Sequence, residues 1–191
     1  MKESLRDRLV TAASELFYAA GLRAVSVDKV IERAETTKVT FYRHFKSKDD
    51  LVVAYLQASS EQERRAVAAA LARAPEEGVP AALESLAELI GSAACRPGFR
   101  GCAFINAAAE YPDAASGPRR VVDEHRAWYR DAFQQFVTPL GVPDPAATAE
   151  DLLLLRDGAM VAGYLDDPSK VTASFLRSSQ ALVEVEAAVR R

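Results

Sequence analysis

The sequence predicts an all-α fold, with a small three-helix head joined by a long helix to a larger helical body. Three observations carry this. Alanine and leucine are abundant, no segment sustains a period-two alternation of β-branched or aromatic residues, and Gly and Pro fall between stretches whose apolar residues recur every three or four positions. The 191 residues are 49% hydrophobic and 27% charged, the composition of a globular chain.

The elements follow in order. Leu5, Leu9, Ala12, Ala13, Leu16 and Phe17 form one apolar stripe of a first helix from about Lys2 to Ala20, with Gly21 placed to stop it. Ser26 is positioned to cap a short second helix that ends near Ala34. Glu35-Thr36 makes a tight connection, and Thr37 caps a third short helix over 38–45, anchored by Phe41 and Phe45 four residues apart. Ser47 and Asp50 have the spacing of a capping box, opening a long helix from about 48 to 74 that Pro75-Glu76-Glu77-Gly78 terminates. Further helices are expected over about 80–95, 100–110, 117–138, 146–165 and 169–190. The domains expected are a head over 1–47 and a body over 48–191.

Charge is unevenly spread. The net charge is -3, yet residues 1–50 hold ten Lys+Arg against eight Asp+Glu, and Thr36 to Lys48 contains Lys38, Arg43, Lys46 and Lys48 with no acid. A basic stripe on an acidic chain is the footprint of a nucleic-acid-binding head on a soluble body. Two cysteines and two distant histidines supply neither a disulfide framework nor a metal site, so no metal or cofactor is expected. No apolar run is long enough to span a bilayer, and no signal-peptide core follows the charged start, so a cytoplasmic location is expected.

A short helix, a tight turn and another short helix packed on a longer first helix make a helix-turn-helix, whose second helix enters the major groove. Residues near its start reach base edges. Lys38 suits guanine O6 and N7, and Val39 and Thr40 offer methyl groups to thymine. Tyr42, Arg43 and His44 lie away from the Phe41/Phe45 anchors and suit phosphate. Ser26, Thr37 and Lys48 mark helix starts, whose backbone N–H groups also favour phosphate.

Residues 6–56 resemble the DNA-binding region of the TetR family of regulators. The run from Thr37 to Leu51, Thr-Lys-Val-Thr-Phe-Tyr-Arg-His-Phe-Lys-Ser-Lys-Asp-Asp-Leu, is similar to the family's signature, as are Ala12-x-x-Leu16-Phe17-x-x-x-Gly21 and Ser26-Val27-x-x-Val30. Glu35 departs from the pattern, which commonly has Gly in that turn. The resemblance implies a homeodomain-like head, a helical ligand-binding and dimerisation body, and a repressor released from a palindromic DNA operator by a small organic effector. It further implies that the last two helices of two subunits form a four-helix bundle. The long helix would then act as a lever between body and head.

The residues of the body leave more than one reading open. Val171, Phe175, Leu182 and Val185 form a stripe on the last helix, and Leu155, Ala159 and Ala162 lie on the one before it. Such stripes suit a homodimer interface and an internal core equally. Aromatic residues gather in the middle of the body. Phe104, Trp128, Tyr129, Phe133, Met160 and Tyr164 are the candidate apolar lining of an effector pocket, with Asn106, Glu110 and His125 as polar anchors. Cys102 sits near an expected helix start with Arg100 close by, both of which favour a thiolate. A thiol-based repressor sensing oxidants or electrophiles through Cys102 is therefore an alternative, and a helical enzyme is the rival of another class. Against the enzyme, the sequence contains no nucleophile elbow, no zinc-protease motif and no phosphate-binding glycine loop.

Overall fold

The computed structural model describes residues 4–188, with side chains through residue 186. The elements are α1 (Leu5–Ala20), α2 (Val27–Arg33), α3 (Lys38–His44), α4 (Lys48–Leu71), α5 (Ala74–Glu77), α6 (Val79–Ala94), α7 (Ala103–Glu110), α8 (Gly117–Val137), α9 (Pro145–Leu165) and α10 (Val171–Ala188). Short 3-10 turns lie at Thr138–Leu140 and Pro168–Lys170, and no strand occurs among the described residues. The all-α reading holds. Lys2 at the expected start of the first helix, and residues 189–190 at the expected end of the last, lie outside the described residues.

The caps explain most boundaries. The hydroxyls of Ser26 and Thr37 accept from the backbone N–H groups of Lys29 and Thr40, each satisfying a donor that the helix cannot. Ser47 and Asp50 make the reciprocal capping box, with Ser47 N–H donating to Asp50 Oδ2 at 3.0 Å and Asp50 N–H to Ser47 Oγ at 3.1 Å. The expected terminator Pro75-Glu76-Glu77 is instead a helical turn of its own, α5. Proline and two acids are favourable in a first turn, and Arg73 pairs with Glu77 beside it. The expected start of α7 at residue 100 moves to Ala103, because Gly98 and Gly101 both take positive φ. Glu35 also adopts positive φ, +48°, so the tight turn keeps the left-handed geometry without the glycine.

The chain divides into two compact units. The first runs through Glu61 and resumes over Ala103–Glu124, so α7 and the start of α8 belong with α1 to α3 and most of α4. Its core is built from Leu9, Ala13, Phe17, Val30, Phe41, Phe45 and Leu51, all buried. The second unit comprises Gln62–Cys102 and the chain from His125 onward. There α6 packs on α9 and α10. A Cβ on Gly91 would stand 1.7 Å from Thr172 Oγ1, and one on Gly163 would stand 2.6 Å from Ala94 Cβ, so only glycine allows these approaches.

Candidate nucleic-acid interface

The head buries one side of α3 and leaves the other in solvent. Phe41 and Phe45 are buried with their rings 5.8 Å apart, which fixes the rotation of the helix. Lys38, Val39, Tyr42, Arg43 and His44 consequently point outward, with Thr40 half-exposed. Val39 is 65% exposed and Tyr42 49%, although both would gain from burial. Lys38 lies 3.8 Å from Asp28 in a solvent-exposed pair, an interaction weak enough to exchange for another anion. Ser26 and Thr37 are exposed at their caps. Lys48 is half-buried, and its ammonium donates to the Arg23 carbonyl at 3.0 Å. Its partial burial pushes its pKa below the usual lysine value, against the pull of Asp49 and Glu110. The face is therefore apolar and hydroxylic along its middle and basic at both ends, suited to base edges flanked by phosphates.

The candidate effector residues are divided between the units. Phe104, Asn106 and Glu110 lie in the first, with Phe104 buried and Asn106 exposed. Glu110 is committed to the backbone of the head, where its two oxygens accept from the N–H groups of Leu22 at 2.9 Å and Arg23 at 2.6 Å. In the second unit the rings of His125, Trp128, Tyr129 and Phe133 contact one another along α8. Met160 is buried, whereas Tyr164 is half exposed to solvent.

Two charged residues missed by the sequence reading lie beneath this aromatic row. Arg156 is only 3% exposed, and its guanidinium pairs with Glu63 and donates to Asp157 Oδ1 at 3.0 Å and to Cys102 Sγ at 3.2 Å. Tyr129 O–H donates to Glu63 at 2.6 Å, and His125 Nε2 stands 3.5 Å from the same carboxylate. Burial opposes the Glu63 charge, but His125, Arg156 and Tyr129 together pull its pKa down to about 2. Burial pushes the His125 pKa below the usual histidine value despite Glu63, and Arg156 and Arg64 reinforce that shift. Tyr129 is pushed up, chiefly by burial. Arg156 was detectable in principle: it falls on the α9 face shared by Ala149, Leu152, Leu153, Met160 and Gly163, where an unpaired charge would be prohibitive.

Beside Trp128 the second unit opens an apolar cleft of about 650 Å³ between α4, α6 and α8, lined by Leu71, Val79, Phe136 and Leu140, with Asp131 at its edge. Of the expected aromatic cluster, Trp128 and Phe136 line it. Cys102 is buried and Cys95 exposed, and both are free thiols. Among the proposed interface residues, Val171 and Phe175 are buried within the chain itself. Leu155, Ala159, Ala162 and Leu182 are half-exposed and Val185 is exposed. Leu154, Val161 and Leu165 form an exposed apolar stripe on α9, of which Val161 and Leu165 were not expected from the sequence. Gly158 lies in that stripe with no neighbour near its Cβ position. Among the described residues no cluster is placed to hold a metal, and no helix is long and apolar enough to cross a membrane.

Residues 9–55 match the family model described as bacterial regulatory proteins, tetR family. Over nearly the whole length, the chain is similar to the solved structure of a TetR-family transcriptional regulator from Streptomyces coelicolor. The two are 39% identical, with 96% of each chain covered and a TM-score of 0.88. The chain belongs to the TetR family. As a TetR-family protein it is a DNA-binding transcriptional regulator and not an enzyme. The HTH-type transcriptional activator FasR of Mycolicibacterium smegmatis is 39% identical over 56 residues, which is 29% of this chain. The chain spans about a quarter of FasR, 26% of its length, so that likeness is confined to a head-sized segment. The HTH-type transcriptional regulator YjdC of Escherichia coli is 23% identical over 158 residues, 81% of either protein.

Proposed function

We propose that this TetR-family chain is a ligand-responsive repressor, located in the cytoplasm, that binds a palindromic operator as a homodimer. The observation that carries the reading is the exposed face of α3. Val39 and Tyr42 stand in solvent between Lys38 and Arg43 on a helix whose rotation Phe41 and Phe45 fix. In this reading Lys38, Val39 and Thr40 read bases, while Ser26, Thr37, Tyr42, Arg43, His44 and Lys48 hold phosphates.

Two further features support the rest. The apolar cleft beside Trp128 is within the size range of small-molecule sites and suits a hydrophobic effector. The stripe of Leu154, Val161 and Leu165 on α9, with Val185 on α10, offers apolar surface for a second copy. Repression relieved by effector is the sense we assign. FasR is an activator, but its likeness to this chain extends over only 56 residues.

Selection of duplexes from a random-sequence pool by the full chain tests the proposal. The expected product is an inverted repeat whose half-site centres lie about 34–36 Å apart, one turn of DNA, or a multiple of that spacing. Recovery of a single unrepeated site would overturn the paired reading.

A further inference from the structure

We propose that Glu110 is a positioning residue for DNA binding, holding the recognition head on the last turn of α7. The inference rests on the reading that the head binds DNA. It starts from a set of contacts between residues far apart in sequence. One carboxylate takes two successive backbone N–H groups, of Leu22 and Arg23, in the loop that follows α1. Those groups would otherwise be orphans just past the helix end. Arg23 answers with its side chain: its Nε–H donates to the Glu110 carbonyl at 2.8 Å, and its guanidinium lies 5.5 Å from the Tyr111 ring centre.

The neighbouring residue extends the clasp to α4. Tyr111 O–H donates to Asp49 Oδ1 at 2.8 Å, and Lys48 Nζ donates to the carbonyl of Arg23. The loop before α2 and the first turn of α4 bracket α2 and α3. Both are thus tied to one end of α7. The sequence is adapted to this closeness at Gly21, where φ is +93° and a Cβ would stand 3.2 Å from Glu110 Oε1. With both oxygens committed to the loop, Glu110 is a strut of the head rather than an anchor for effector.

The clasp also suits release. Its hydrogen bonds at Arg23 and Lys48 are exposed, so opening it exposes little apolar surface, and local opening of that kind is cheaper than unfolding. The chain enters this unit at Ala103, the first residue of α7, directly after Cys102 of the second unit. A displacement of α7 would therefore reach the loop and α4 through Glu110 and Tyr111.

The test uses the full chain and a duplex selected by the wild type. Glu110→Gln keeps the shape but presents an N–H₂ where one acceptor stood, and Tyr111→Phe removes only the bond to Asp49. Binding is measured across salt concentrations, and amide hydrogen exchange is followed residue by residue. For Glu110→Gln the expected results are an affinity about tenfold weaker and faster exchange at Leu22 and Arg23. Protection in α2 and α3 and the salt slope should stay as in the wild type, because the same phosphates are contacted. Tyr111→Phe should move affinity in the same direction by less. Unchanged affinity with the two amides exposed would overturn the proposal, and so would exchange that spreads through α1 to α3, which marks a merely structural role. If the wild type itself selects no duplex, the DNA-binding reading fails first and takes this one with it.

Discussion

Tyr129 and Arg156 both donate to the Glu63 carboxylate while His125 faces it from 3.5 Å, and this cluster contributes to the pH response of the body. Glu63 is held at about 2 against an ordinary 4.5, so on acidification the unfolded chain takes up that proton first. Its contribution, on the order of 3 kcal/mol, is complete above 4.5 and is lost as pH falls towards 2. His125 acts in the same direction. Its folded pKa lies below 6.5, so protonation favours the unfolded chain and stability declines as pH drops below 6.5. Thermal unfolding should therefore move to lower temperature from about pH 6.5 downward. Glu63→Gln should flatten the acid limb below 4.5 while costing about 3 kcal/mol at neutral pH, because Arg156 keeps a buried charge without its partner. A variant as stable as wild type at pH 7 would contradict this account. Little of the cluster was legible in the sequence: Glu63 and Arg156 are 93 residues apart, and only the place of Arg156 on the buried face of α9 betrayed it. Cys102, by contrast, was singled out from its neighbourhood, but the guanidinium that reaches it is that of Arg156.

The helices themselves were largely legible, because caps and apolar periodicity are local. Ser26, Thr37 and the Ser47/Asp50 box each start the helix expected of them. What periodicity cannot tell is which partner a stripe meets. Val171 and Phe175 have the spacing of an interface, yet both are buried within the chain, with α10 packed against α6 and α9. Gly163 likewise faces Ala94 of α6, whereas Gly158 faces open space. Among the described residues, the exposed stripe of Leu154, Val161 and Leu165, with Gly158 in its midst, is the surface proposed for a second copy. Leu154→Glu with Val161→Glu should leave the thermal stability of the subunit within about 0.5 kcal/mol, since exposed sites are tolerant. The same pair should convert a dimer into a monomer in sedimentation, because each charge would have to be buried unpaired. A double variant that remains dimeric would place the interface elsewhere.

At the scale of the whole molecule, the division into units cuts across the order of the chain. A boundary near residue 48 separates sequence by motif, whereas the compact units place α7 and the start of α8 with the head. No local pattern announces that: Glu110 reads as a candidate polar anchor for an effector until Leu22 and Arg23 are seen to donate to it. The function of the head was the most legible feature, because the TetR-like run from Thr37 to Leu51 holds the core anchors and the exposed face in one continuous stretch. The cleft proposed for an effector was the least legible, since its walls come from separate helices and include residues such as Leu71 and Leu140 that carry no signal of their own. The exposed face of α3 is the surface proposed to read DNA. Equilibrium binding of the selected duplex to wild type, Lys38→Ala and Tyr42→Ala at several salt concentrations tests it most directly. Both variants should bind at least about tenfold more weakly with their folded stability unchanged, Lys38→Ala losing discrimination at a guanine and Tyr42→Ala losing affinity across all sequences. Equal affinity of all three proteins for the duplex would show that this face does not contact it.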